Sequence, residues 1–348
     1  MTEREIFQSA LDYDDPTEQQ AYLDQACGAD SELRRRVDSL LESHMAATDF
    51  LNTPAVDRMK WETHADPAPT VDLSKPDFSF LQPSSKPDSL GTLGNYEILE
   101  AIGQGAFGIV FKAFDPKLHR IVAIKVMNPE LATTSPPRKR FLREARTAAA
   151  VTHENIVAIH AVEEEPIPYL VMEYIAGPTL GSRMDGSGPL DVKDILKIGQ
   201  QVAAGLAAAH SVNLIHRDIK PSNILLTEGT VEKAKISDFG LARAVDDASM
   251  TQSGMIAGTP MYMAPEQARG ETLDHRADLF SLGSVLYQMA SGRPPFRAPT
   301  TIAVLKRVCE DTPRSLDDVI PETPAWLQTI IFRLLEKNRD DRFQTAQE

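Results

Sequence analysis

Three glycines, at positions 103, 105 and 108, constrain this 348-residue chain more than any other feature. Tyr96 to Ile102 reads as a strand. The run Gly103-Gln104-Gly105-Ala106-Phe107-Gly108-Ile109-Val110 then leads into a second strand ending at Phe114. Glycines at the tip of a hairpin let backbone N–H groups close over phosphate oxygens without side-chain collision. The spacing G-x-G-x-x-G alone also fits dinucleotide-binding folds, but there it opens a helix, and here it opens a strand. The pattern G-x-x-x-x-G-K-[ST] occurs nowhere, which excludes a P-loop.

A turn at Asp115-Pro116-Lys117 precedes a third strand, Ile121 to Val126, in which Ala123 and Lys125 stand among branched apolar residues. A lone lysine in such a strand can snorkel to solvent. Just after a phosphate-cradling hairpin, Lys125 reads instead as a phosphate ligand. The spacing predicts a helix from Pro137 to Val151, with Phe141, Leu142, Ala145 and Ala149 as its packing face and Glu144 among them. Glu144 could serve Arg140 or Arg143 on the surface; with Lys125 nearby, an ion pair that positions the lysine is the better assignment. His153-Glu154-Asn155 is no zinc motif, because His160 misses the H-E-x-x-H spacing.

The densest chemistry is His216-Arg217-Asp218-Ile219-Lys220-Pro221-Ser222-Asn223, set between the strand-like runs Leu214-Ile215 and Ile224-Leu225-Leu226. Asp218 can accept a proton from a hydroxyl nucleophile, Lys220 can balance charge on a phosphoryl group, and Asn223 can ligate a metal. Asp191 caps a predicted helix bearing Val192, Ile195, Leu196, Val202 and Leu206, which delivers the chain to this loop. Ala234-Lys235-Ile236-Ser237 and Asp238-Phe239-Gly240 follow. After a polar stretch come Gly258-Thr259-Pro260 and Ala264-Pro265-Glu266, then an apolar helix from Asp274 to Ser291 carrying Asp278. A helix introduced by Thr323-Pro324 runs to Leu335.

The loop at 216–223 resembles the catalytic loop of the protein kinases, Asp238-Phe239-Gly240 their magnesium-binding motif, and Ala264-Pro265-Glu266 their A-P-E signature, in the family's order. Residues 96–348 thus resemble a eukaryotic-like (Hanks-type) serine/threonine kinase, bacterial members such as those of planctomycetes in particular. The resemblance implies an α+β, two-lobed protein-kinase fold. A small antiparallel β-sheet lobe with one helix would span 94–173 and a larger, mainly helical lobe 174–348, with ATP and Mg²⁺ between them.

It also implies roles. Ile102 to Val110 with Ala123 would cover ATP, Lys125 would hold its α- and β-phosphates, and Met172 would guard the pocket behind the Glu173–Ile175 hinge. Asn223 and Asp238 would hold Mg²⁺ through oxygen ligands. Thr259 would brace Asp218 and Lys220, and Arg342 would pair with Glu266. Asp278 would be structural. Thr251 and Ser253 match the phosphorylated positions of similar bacterial kinases, with Arg217 as the phosphate's docking site. Gly177-Pro178-Thr179 and Gly181-Ser182 supply no acidic residue where kinases often bind the ribose, which puts that contact in doubt. A catalytically silent nucleotide-binding scaffold is the alternative, but such proteins usually lose Lys125, Asp218 or Asp238, and all three stand here.

The rest of the chain reads more plainly. Residues 1–51 are expected to form a small helical segment, with Pro16 opening one helix and Ser31 capping another that carries Leu33, Val37, Leu40, Leu41 and Met45. Residues 52–93, with six prolines among Ser, Asp and Thr, are expected to be a disordered linker. Net charge is −14, and residues 1–95 carry 8 basic against 18 acidic residues, which argues against nucleic acid or a membrane surface as partner. Cys27 and Cys309 read as reduced thiols of a cytoplasmic protein, and no apolar run reaches membrane length. Protein substrates and ATP are the expected partners, with a transient dimer for autophosphorylation. The family's last helix normally continues past Glu348, so a truncated product is expected, with any membrane association in the missing part.

Overall fold

The computed structural model describes Leu23, Ala26, Cys27 and Arg34, and then residues 78–105, 108–132, 135–228, 232–239, 260–320 and 323–348. The chain divides into two units, Met1–Pro76 and Asp77–Glu348. In the first unit the four described residues are helical. The remainder of the expected helices and the linker up to residue 77 lie outside the described residues.

The second unit begins on an antiparallel sheet of six strands in the order β1-β2-β3-β4-β6-β5. These are β1 (Gly91–Leu93), β2 (Tyr96–Gly105), β3 (Gly108–Asp115), β4 (Arg120–Met127), β5 (Ile159–Glu163) and β6 (Tyr169–Glu173). Val122 to Met127 of β4 are buried, and all but Lys125 are apolar, because both faces of the strand are covered. Val122, Ile124 and Val126 pack with Ile98 and Phe111 on one side. Ala123 and Met127 pack on the other against Phe141, Leu142 and Ala145 of α1 (Ser135–Ala149).

Residues 78–93, expected as the end of the linker, pack on this sheet instead. Phe78 and Phe80 lie edge-on to Phe111, with ring centres 5.3 and 6.2 Å away, and Gln82 bridges to Thr92. Burying two aromatic rings repays ordering a stretch that has no apolar period of its own.

The larger lobe contains α2 (Leu180–Ser187), α3 (Val192–His210), α4 (Arg276–Ser291), α5 (Thr301–Glu310) and α6 (Ala325–Leu334), with a small hairpin of β7 (Ile224–Leu226) and β8 (Ala234–Ile236). Asp191 caps α3 by accepting the N–H of Asp194 at 2.8 Å, as the sequence predicts. α4 is buried on nearly every face and stops at Gly292, whose φ of +73° is the left-handed C-terminal cap. α4 begins at Arg276, after the expected start at Asp274. Leu214 and Ile215 belong to no strand: the N–H of Leu214 is spent on the carbonyl of Ala209 at the end of α3.

Candidate active site

β4 carries Lys125 inward, 5% exposed, between Val110 on β3 and Leu170 on β6. Its ammonium donates to Asp238 Oδ1 at 2.8 Å. Burial, the largest influence on the Asp238 carboxyl, pushes its pKa up; the charge and hydrogen bond of Lys125 outweigh that and hold it below the usual carboxylate range. Glu144, the partner expected for Lys125, is buried on α1.

Asp218 sits at the centre of a second cluster. Lys220 Nζ lies 2.7 Å from Asp218 Oδ2, and Asn223 Nδ2 donates to the same oxygen at 3.1 Å and to the Asp218 carbonyl at 2.8 Å. With its amide nitrogen so engaged, Asn223 keeps Oδ1 for another donor or a cation. The two clusters are tied by backbone: the N–H of Ser237, next to Asp238, donates to the Asn223 carbonyl at 2.9 Å. Two hard oxygen donors brought side by side on separate loops fit Mg²⁺.

His216 explains the rigidity of this arrangement, and nothing in the sequence pointed to its role. It is fully buried. Its Nε2 donates to the Ser237 carbonyl at 2.7 Å, its Nδ1 accepts the N–H of Asp218 at 3.2 Å, and its ring stands edge-on to Phe239 at 4.6 Å. A neutral imidazole has one donor and one acceptor, and both are used. Arg217 and Asp238 adopt φ of +70° and +64°, a region that non-glycine residues enter only when their surroundings impose it. Asp278 of α4 supplies that imposition beneath Arg217, accepting its N–H at 2.7 Å and that of His216 at 2.8 Å. His210, at the end of α3, donates Nε2 to Asp278 Oδ2 at 2.8 Å. From the other side, Gln267 donates to the Arg217 carbonyl at 2.8 Å.

The glycine run stands where β2 gives way to β3. At Gly108, with φ +137°, an added Cβ would fall 1.9 Å from the Val126 carbonyl oxygen, so the turn into β3 admits only glycine. At Gly105 a Cβ would meet no described atom within 4 Å, so internal packing does not require that glycine. Its bare backbone leaves room for a ligand to approach. Ile102, Gly103, Gln104, Ile109 and Val110 lie on β2 and β3 around this turn; Ala106 and Phe107 lie outside the described residues.

Ala123 pairs with Met172 across β4 and β6, and Glu173 ends β6 opposite Val122. Glu173 accepts from Lys235 at 2.9 Å. Ile175, expected in the hinge, lies just past the end of β6. An added Cβ at Gly177 would fall 1.9 Å from the Leu226 carbonyl oxygen, so no side chain fits at that one position. Glu266 and Arg342 meet in a buried two-pronged pair at 2.7 and 2.8 Å. Thr251, Ser253 and Thr259 lie outside the described residues.

A family model described as "Protein kinase domain" matches residues 96–348. Serine/threonine-protein kinase PknB of Mycolicibacterium smegmatis is 40% identical over 264 residues, covering 73% of this chain and 41% of the relative. A probable serine/threonine-protein kinase PknB of Bifidobacterium longum is 39% identical over 267 residues, covering 73% and 38%. The chain therefore spans about two fifths of the length of the curated relatives it matches. Among solved structures, the Mycobacterium tuberculosis PknI kinase domain superposes with a TM-score of 0.59 at 29% identity, over 73% of this chain and 93% of that one. Rad53 1-466 in complex with AMP-PNP gives a TM-score of 0.62 at 26% identity, over 73% and 63%.

Proposed function

This chain belongs to the protein kinase family, among the Hanks-type bacterial serine/threonine kinases, and we propose that it transfers the γ-phosphoryl group of ATP to Ser and Thr hydroxyls of proteins, its own included. The observation that carries the reading is the convergence of Asp218, Lys220 and Asn223 on one loop with Lys125 and Asp238 beside it.

In the proposed reaction the substrate hydroxyl oxygen forms a bond to the γ-phosphorus while the bond to the β–γ bridging oxygen breaks. The hydroxyl proton passes to Asp218, and ADP leaves with the electron pair. Lys220 turns from Asp218 to the transferring phosphoryl group, and Lys125 holds the α- and β-phosphates. Asn223 and Asp238 would hold Mg²⁺, which would neutralise charge at the phosphates. Catalysis on this scheme is positioning and electrostatics, which suits a loop whose backbone is pinned by His216 and Asp278.

Lys220, two residues after Asp218, supports Ser and Thr as acceptors, with Thr259 placed by the sequence to tighten the site around a short side chain. The test is incubation of the full chain with Mg²⁺, γ-labelled ATP and a generic basic protein, followed by phosphoamino-acid analysis. Phosphoserine and phosphothreonine are expected. Mainly phosphotyrosine, or incorporation no greater than with Asp218→Asn, overturns the reading. Among the described residues no helix is long and apolar enough to cross a membrane.

A further inference from the structure

At the junction of α3 and α4, His210 and His275 bring their rings to 5.3 Å between centres, tilted by 56°. They share a cavity of about 270 Å³ with Ser211, Asn213, Thr345 and Gln347. Each ring is held the same way. His210 Nε2 is bound to the Asp278 carboxylate at 2.8 Å, and His275 Nε2 to the Gln344 carbonyl at 2.7 Å. An ionised carboxylate and a carbonyl can only accept, so both Nε2 atoms carry hydrogen and both neutral rings present the lone pair on Nδ1. The side chain of His210 is 9% exposed, and its Nδ1 is buried without a hydrogen-bond partner.

An imidazole whose far nitrogen is locked to a carboxylate or carbonyl is the arrangement that orients histidines on metals. The spacing fits as well. A Zn–N bond of about 2.0–2.1 Å at tetrahedral angles, with the ring nitrogen about 1.1 Å from the ring centre, places two ligating imidazole centres about 5.2 Å apart. We propose that His210 and His275 form a binding site for an imidazole-seeking divalent cation of the zinc class, with both Nδ1 atoms as ligands and water or the neighbouring polar groups completing the shell. Among the described residues no group of three or more His, Cys, Asp or Glu is placed to hold a metal ion, so this site has two imidazole ligands and relies on water or neutral polar groups for the rest of its shell. Asp278 holds His210 with one oxygen and the backbone of His216 and Arg217 with both, so the cation site and the catalytic loop share one carboxylate. The site is independent of phosphoryl transfer and is tested without nucleotide.

The experiment is titration of the full chain with zinc chloride in competition with a chromophoric chelator, for the parent and His275→Gln. One saturable site is expected in the parent, and a weakening of roughly 10- to 100-fold or more in the variant. The melting temperature and phosphotransfer rate should be unchanged, because His275 lies outside the catalytic cluster. A parent with no saturable site, or a variant with parental affinity, overturns the proposal. Electron paramagnetic resonance of the parent loaded with Cu²⁺ decides the matter even where the variant fails to fold. Hyperfine splitting from two nitrogens supports the pair, and from fewer than two overturns it.

Discussion

The carboxylate of Asp278 lies 2.8 Å from the backbone nitrogen of His216 and 2.7 Å from that of Arg217, holding two consecutive N–H groups across 62 residues of sequence. Two adjacent donors can converge on one anion only when the peptide between them turns, and Arg217 turns with φ +70°. The strain is thus held by a helix that is itself buried on nearly every face.

Asp278→Asn is expected to destabilise the chain by about 1.5–3 kcal/mol, because an amide presents one acceptor where the carboxylate presents two and sets an N–H against an N–H. Burial, the largest influence, pushes the Asp278 pKa up, but the His210 hydrogen bond and the nearby imidazoles outweigh it and hold it low. A lowered folded pKa contributes stability at neutral pH that is lost as pH falls through and below the ordinary carboxylate range. Urea midpoints at pH 7, and then from pH 4 down to pH 2.5, measure both effects. A variant with the parental midpoint at pH 7 sinks the assignment.

Lys125→Met and Asp218→Asn should each leave the fold intact and lower kcat by roughly 10²- to 10⁴-fold. Lys125→Met removes the partner of Asp238, so some loss of stability accompanies it. Circular dichroism and initial rates with labelled ATP check the pair. A folded variant with near-parental turnover removes that residue from the mechanism.

Phosphorylation at Thr251, with Ser253 as second site, is expected to raise activity. A phosphate carries roughly −1.5 to −2 charge and takes bidentate hydrogen bonds from an arginine, and Arg217 is fixed beside Asp218 by both its N–H and its carbonyl. Mass spectrometry after Mg-ATP incubation should find these sites modified, and Thr251→Ala with Ser253→Ala should slow turnover to the level of Arg217→Ala. Parental speed in the double variant rules out the switch.

Chemistry written in consecutive residues was legible before any fold was known. His216 to Asn223 and Asp238-Phe239 each stand out through local spacing, and the structure brings these two segments together, while Gly103 to Gly108 falls at the predicted junction of two antiparallel strands. What stayed hidden depends on partners far along the chain. Neither periodicity nor spacing shows that the His216 ring joins Asp218 to Ser237, that Gln267 reaches Arg217, or that His210 buttresses Asp278. Residues 78–93 read as linker because Pro83 and Pro87 break any pattern. Their order comes from Phe78 and Phe80 burying against Phe111, a tertiary contact with no sequence signature. Leu214 and Ile215 failed as a strand for the same reason. Their apolar character was read correctly, but the backbone had already been claimed by the end of α3.

Lys337 gives an alkaline test. Burial pushes its pKa down to about 8; its Nζ donates to the Val308 carbonyl at 2.6 Å and sits 3.8 Å from the Phe296 ring centre. Between about pH 8 and the ordinary lysine value near 10.4 the unfolded chain binds the proton and the folded chain does not, so stability should rise with pH. Lys337→Met should flatten that rise in urea midpoints taken from pH 7.5 to 9.5. An equal slope in both proteins shows that Lys337 is not its source.

Arg342 and Glu266 offer the sharpest test of what holds the larger lobe together. Both are nearly inaccessible, at 1% and 3% exposure. Every nitrogen of the guanidinium is engaged: Nε donates to the Glu336 carbonyl, Nη1 to Glu266 and the Arg276 carbonyl, and Nη2 to Glu266 and the Lys337 carbonyl. The guanidinium also lies 5.0 Å from the Phe280 ring centre. Removing one partner strands a buried charge, so Arg342→Leu or Glu266→Leu alone should cost about 3–5 kcal/mol. Removing both eliminates the stranded charge but still orphans three carbonyls, so the double variant should be more stable than the two single losses added together, without returning to parental stability. A double-mutant cycle by chemical denaturation measures the coupling directly. Strictly additive losses mean that the pair does not act as a unit and that the cost of each variant lies in packing.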